Sequence, residues 1–305
     1  MGRGHLLSLV ITTSLFLSCG IQFKVISFNE IQIDSTPTID DYPDAHAVYL
    51  LREAKFEIQT ISTFSEHIIV KVLKAGGKKY ANVKVPFWKD CKVLDLKART
   101  IKPNGEIVNL IKENIFEVTD FPEYIMYADR KAKVFTFPAV DTGCVLEYTY
   151  TLGYRSPHVP MWYFQGYEPT ILARFTYDVP IFLGFDYLTS SVPGCKIEKA
   201  ILQKGKRHNV VFSTANLPAM KYEPFAPPIN DISSWVMMTW ASFRIFFLPE
   251  IRSGQETWYE IGKNYYLATD TLLQPNREIK AKTEELITGC SSDEEKINRI
   301  FRFVR

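Results

Sequence analysis

From residue 44 to about 216, apolar and polar positions alternate with a period of two. This is the signature of strands with one buried and one wetted face. In His46–Gln59, Val48 and Leu50, then Phe56 and Ile58, alternate against Arg52, Glu53, Lys55 and Glu57. Glu66–Lys74 repeats the pattern through Ile68, Val70 and Val72. Val93–Ile101 sets Leu94, Leu96 and Ala98 against Asp95, Lys97 and Arg99. It then enters Pro103-Asn104-Gly105-Glu106, a turn sequence that predicts a hairpin returning through Ile107–Leu110. Lys133–Phe137, Val145–Leu152 and Ile171–Val179 read as further strands. Lys196–Leu202 and Asn209–Thr214 flank Gly205 as a second hairpin. Repeated short strands without helices between them predict a mainly β fold, an antiparallel β-sandwich of about nine or more strands.

Leu217–Asp231 carries Pro218, Pro224, Pro227 and Pro228, which break helices and ladders alike. Trp235–Phe247 reads as one more strand. Beyond Pro249 the period changes to that of a helix, in Thr257–Thr269 and Arg277–Thr288. The sharpest helix signal is Ser292-Asp293-Glu294-Glu295, a capping box, followed by Ile297, Ile300, Phe301 and Val304 at i, i+3, i+4 and i+7. This stripe runs at full amplitude to the last residues, as expected of the front part of a longer protein. The organisation expected is a signal segment (1–19), a linker (20–43), a β domain (44–248), a helical connector (249–290) and a first helix of a further domain (291–305).

Composition narrows this little. The 305 residues carry 36 basic and 34 acidic side chains, a net charge of +2. No basic field points to nucleic acid. A hydrophobic share of 46% excludes an intrinsically disordered chain. At the N-terminus, Arg3, the apolar Leu6–Leu17 and Ser18-Cys19-Gly20 form a targeting pattern, too short for a spanning helix of about 20 residues. It is similar to a bacterial lipoprotein signal, with Cys19 as the lipidated residue, although Phe16 stands where Leu is usual. A plain secretory signal and an uncleaved anchor are the alternatives. The expected location is outside the cytoplasm, as a lipid-anchored protein of the periplasm or outer membrane, touching the membrane only through that anchor.

Candidate chemistry is sparse. Setting Cys19 aside, Cys91, Cys144, Cys195 and Cys290 allow three disulfide pairings or four free thiols. Cys290 precedes a helix, but the acidic residues after it oppose a thiolate and no His is placed to pair with it. Asp141-Thr142-Gly143 reads as a turn. Asp120, Glu123 and Asp129 read as a solvated acidic loop, without metal-ligand spacing. Lys71, Lys74, Lys78 and Lys79 around Gly76-Gly77 read as a basic hairpin tip. No catalytic residue, metal ligand or cofactor is assigned. The densest aromatic patch, residues 157–167, supplies Trp162, Tyr163 and Tyr167 as candidate ligand-binding residues for an envelope glycan or peptide; core packing is the competing reading.

Three stretches carry a family resemblance: Ala47-Val48-Tyr49-Leu50-Leu51-Arg52-Glu53; Asp95-Leu96-Lys97-Ala98-Arg99-Thr100-Ile101-Lys102-Pro103-Asn104-Gly105-Glu106; and Phe137-Pro138-Ala139-Val140-Asp141-Thr142-Gly143-Cys144-Val145-Leu146-Glu147-Tyr148. Together they resemble the domain of unknown function that precedes a transglutaminase-like domain in exported bacterial proteins. The resemblance implies a β-sandwich over roughly residues 44–230. It also implies that Asp293–Arg305 is the first helix of the transglutaminase-like domain, cut short, with the Cys–His–Asp triad of that domain beyond it. The reading that follows is a non-catalytic module that positions or gates the downstream domain, or binds a partner. The alternatives are a stand-alone carbohydrate- or peptide-binding module and a hydrolase in its own right.

Overall fold

The computed structural model describes residues 36–88, 90–120, 130–154, 161–221, 223–243, 251–252, 257–270 and 273–305. Cys19, Glu123, Asp129 and residues 157–160 and 244–247 lie outside them. The chain divides into two compact units, Met1–Ile251 and Arg252–Arg305.

The first unit is mainly β. Its largest sheet contains β1 (Ala47–Glu57), β2 (Ser62–Val72), β4 (Cys91–Ile101), β5 (Ile107–Asn109), β8 (Val145–Tyr154), β10 (Thr170–Pro180), β12 (Glu198–Lys204) and β13 (Arg207–Leu217). The spatial order is β12-β13-β10-β1-β2-β8-β4-β5. A second sheet pairs β7 (Arg130–Thr136) with β3 (Asn82–Trp88) and β6 (Phe116–Thr119). In a third, β14 (Trp235–Phe243) pairs with β11 (Leu183–Ser190) and β9 (Trp162–Tyr163).

The two smaller sheets pack on one face of the large one. A shared core joins Phe56, Phe64, Leu146, Phe175 and Phe212 of the large sheet to Val85 and Phe135 of the second and Val236 and Met238 of the third. Each fully buried ring of this kind contributes about 1.5–3 kcal/mol. The fold is thus a sandwich whose second layer is split in two. The large sheet is antiparallel with one exception: β1 and β10 run parallel, Tyr49 opposite Thr170 and Glu57 opposite Asp178.

The expected alternation holds in β8 and β10, where Leu146, Tyr148, Tyr150 and Leu152, and Ala173, Phe175, Tyr177 and Val179, face the core. A bulge between Val93 and Asp95 breaks it in β4, and Leu94 turns out to solvent. A register shift between Tyr49 and Leu51 does the same to β1. Both predicted hairpins form, with Gly105 at φ +84 and Gly205 at φ +61, a region favourable to glycine.

The basic run of Lys71 to Lys79 is not an open tip. Residues Ala75–Ala81 form a 3-10 turn, and Gly77 lies so close to His46 that a Cβ would come within 2.3 Å of its carbonyl oxygen. The lysines are held: Lys71 Nζ donates to Thr36 Oγ1 at 2.6 Å, Lys74 donates to the Pro43 carbonyl, and Lys78 pairs with Asp141 at 2.8 Å.

The second unit contains α2 (Trp258–Asp270), α3 (Arg277–Ile287) and α4 (Asp293–Val304), a short turn of helix α1 (Ile229–Ile232) having preceded them in the first unit. Ser292 caps α4 by accepting from the Glu295 N–H at 3.2 Å. Glu295 reaches back to the N–H of Ser291, at 3.0 Å, one residue earlier than the capping box predicts.

Candidate functional site

Charged side chains gather on the face of the large sheet opposite the main core. Register places them there: strand residues opposite one another share a face, so Glu53, His67, Thr149 and Arg174 form one row across four strands. Nearly every charge in this row and the next is paired. Arg174 lies 2.6 Å from Glu53, and Lys55 lies 2.7 Å from Asp178. Arg207 donates to the Asp178 carboxylate and to the Ile58 carbonyl. Glu147, fully buried, accepts from Arg99 Nε at 2.6 Å through Oε2, while its Oε1 lies 2.8 Å from His67 Nε2. Burial pushes the Asp178 carboxyl up, but the hydrogen bonds from Lys55 and Arg207 outweigh it and hold it below the usual carboxylate range. A cleft of about 690 Å³ runs along this face. Ser65 on it is hydrogen-bonded to Thr151 at 2.9 Å.

The aromatic candidates divide. Trp162 is 5% exposed and packs edge-on against Phe164, with ring centroids 4.9 Å apart. Its N–H donates to Glu66 at 3.2 Å, so it is a core residue with its polar tip satisfied and no face open for a ligand. Tyr163 is half-buried, and its hydroxyl donates to Asn230. Tyr167 is 57% exposed and lines a groove of about 520 Å³.

The loop carrying Tyr167 is anchored along its length. The Phe164 N–H donates to the Ser234 carbonyl at 2.9 Å, and Gln165 accepts from the Ser234 N–H at 2.9 Å. The Gly166 carbonyl accepts from Met220 N–H at 2.9 Å, and the Pro169 carbonyl accepts from Tyr49 N–H at 2.9 Å. A Cβ on Gly166 would stand 3.0 Å from the Tyr49 ring, so that ring would have to give way to a side chain. That ring meets Tyr80 edge-on at 5.8 Å. At the floor of the groove lies Glu168, 5% exposed. Its carboxylate accepts from the His46 N–H and from the Tyr80 hydroxyl, both at 3.2 Å, with Lys79 Nζ 3.8 Å away. Burial pushes the Tyr80 hydroxyl far above its ordinary value. Sequence reading missed Glu168 and His46. Their partnership spans 122 positions, and no local pattern signals it.

The remaining candidates are structural. Cys91, Cys144, Cys195 and Cys290 are free thiols, the first two buried. Burial pushes the Cys91 and Cys195 thiols up, away from nucleophilic reactivity. Asp141 caps its own turn, accepting from Thr142 N–H at 2.7 Å. Asp120 pairs with Arg130 at 2.9 Å and with Lys84.

The fold and these surfaces define a mainly β module with paired charges on one sheet face and a groove bearing the exposed Tyr167 ring. Residues 61–221 match DUF3857, a domain of unknown function with a solved structure, and the chain belongs to that family. Among curated proteins nothing matches it. Among solved structures it is similar to a "putative protease" from Parabacteroides distasonis, with 16% identity and a TM-score of 0.61 over 85% of this chain and 50% of that one. An M1 zinc metallopeptidase from Deinococcus radiodurans aligns with 10% identity and a TM-score of 0.34 over 71% of this chain and 48% of that one. The chain spans about half the length of these structures.

Proposed function

We propose that this chain is the non-catalytic N-terminal module of an exported transglutaminase-like protein, lipid-anchored through Cys19, which positions or gates the domain that follows. The observation that carries this reading is α4. Of its apolar stripe, Ile297, Phe301 and Val304 are 61–76% exposed, a face that needs a partner surface. The three motif stretches, and the longer Parabacteroides protein of which the chain covers half, support it. The test is to read the coding frame beyond residue 305 and express the longer chain. A Gly-x-Cys helix followed by His and Asp, with α4 amides protected from hydrogen exchange, is expected. A frame without that helix sinks the proposal. Labelled fatty acid fed to the producing cells reports separately on Cys19: a Cys19→Ser chain that still takes up label removes the anchor from the reading.

A second reading, a glycan- or peptide-binding module, is favoured by one observation, the exposed Tyr167 ring on a groove with a buried carboxylate at its floor.

A further inference from the structure

We propose that the Tyr167–Glu168 groove takes a cationic side chain, ammonium or guanidinium, of a peptide. The proposal deepens the second reading and rests on it.

The argument starts from Glu168. A carboxylate buried to this degree needs strong donors, and it has about four acceptor sites. Two neutral donors reach it, each at 3.2 Å, the long end of the hydrogen-bond range. The cation nearest to it, Lys79, stands at 3.8 Å and is itself 59% exposed. Asp44 lines the same groove, so its walls carry two carboxylates against one ammonium. Lys79 shows what the place attracts: its ammonium lies 5.1 Å from the Tyr80 ring centroid while facing Glu168. A carboxylate beside an aromatic face is the pairing that holds alkylammonium and guanidinium groups. Tyr167 offers a second face, exposed and held by an anchored loop, so little order has to be imposed on binding. A sugar could stack on Tyr167, but it would gain from Lys79 as a donor. A cation competes with Lys79, and this difference separates the two ligands.

The experiment is calorimetric titration of the purified chain with acetyl-Gly-Lys-Gly-amide and its Arg analogue. Controls are the norleucine peptide, of the same shape and no charge, and chitotetraose. The basic peptides are expected to bind at least about tenfold more tightly than the norleucine peptide. Tyr167→Ala should weaken them about tenfold, and Tyr167→Phe, which keeps the ring face, less than threefold. Glu168→Gln should abolish the preference for charge. Lys79→Ala should tighten the basic peptides about two- to fivefold by removing a competing surface cation. Should Glu168→Gln fail to fold, the exposed Tyr167 and Lys79 variants decide alone. Equal binding of the norleucine peptide, or weaker binding in Lys79→Ala, overturns the proposal. Chitotetraose binding lost in Tyr167→Ala, with no response to the basic peptides, overturns it and leaves the binding-module reading standing. No binding by any probe overturns both.

Discussion

Arg99 and Glu147 stand directly opposite each other on β4 and β8, and the fully buried Glu147 carboxylate receives the guanidinium at 2.6 Å. Both residues belong to the stretches that carry the family resemblance, and their pairing gives those stretches a structural cause. A buried carboxylate is tolerated because Arg99 and His67 between them occupy both oxygens.

Removing Arg99 leaves the Glu147 carboxylate charged and buried, with His67 still at one oxygen and no guanidinium at the other. Arg99→Met is expected to cost about 3–5 kcal/mol, whereas adding Glu147→Leu to it should recover most of that loss. Urea midpoints for the single and double variants check this. Equal destabilisation in both would place the cost in packing, not in charge.

Asp178 sets an acid limit. Its folded carboxyl titrates below the unfolded value because Lys55 and Arg207 outweigh the effect of burial. The stability it contributes is therefore complete above about pH 4 and is lost as pH falls through the folded value. Asp178→Asn should lower the urea midpoint at pH 6 and flatten its decline between pH 4 and 2.

The tyrosines set the alkaline limit. Burial pushes Tyr148 and Tyr150 well above their ordinary values and Tyr187 up to about 12. Stability from these phenols is complete below about pH 10 and is lost as pH rises through the folded values. Absorbance at 295 nm should show fewer phenolates at pH 11 in the folded chain than in urea. Coincident curves would contradict their burial.

Gly77 and Gly105 separate two reasons for a glycine. At Gly77 a Cβ meets the His46 carbonyl oxygen at 2.3 Å, and backbone cannot swing aside as a side-chain end would. Gly77→Ala should cost about 2–3 kcal/mol. At Gly105 nothing lies within 4 Å, and only the positive φ matters, so Gly105→Ala should cost about 1 kcal/mol. Thermal melts of the two variants compare them, and the order should not reverse.

Strands with strict alternation were legible, β8 and β10 above all, because one face meets a core and the other water. In the small sheets, β7 and β14 were legible as Lys133–Phe137 and Trp235–Phe247, but β3, β6, β9 and β11 were not. β3 contains Pro86, which a strand accepts at a sheet edge, where β3 in fact lies. β6 is four residues with no buried side chain, too short to show a period. At the site, Tyr167 could be read from its neighbours as an aromatic, but nothing local distinguished it from Trp162. What separates them is that Trp162 is held in β9 against β14, some seventy residues later, whereas Tyr167 stands in the loop beyond β9. Glu168 was illegible for the same reason: its partners lie in β1's approach and the Ala75–Ala81 turn.

The single parallel pair, β1 with β10, divides the large sheet into two antiparallel halves, β1-β2-β8-β4-β5 and β10-β13-β12. No hairpin can make that seam, since parallel neighbours require a long crossover. On the ribosome one flank of β1 stays a bare edge from the emergence of Glu57 until β10 begins at Thr170, more than a hundred residues later. The chain therefore passes through a stage in which a strand of its main core is open to any extended peptide, and folding inside the cell becomes a race between its own β10 and a stranger.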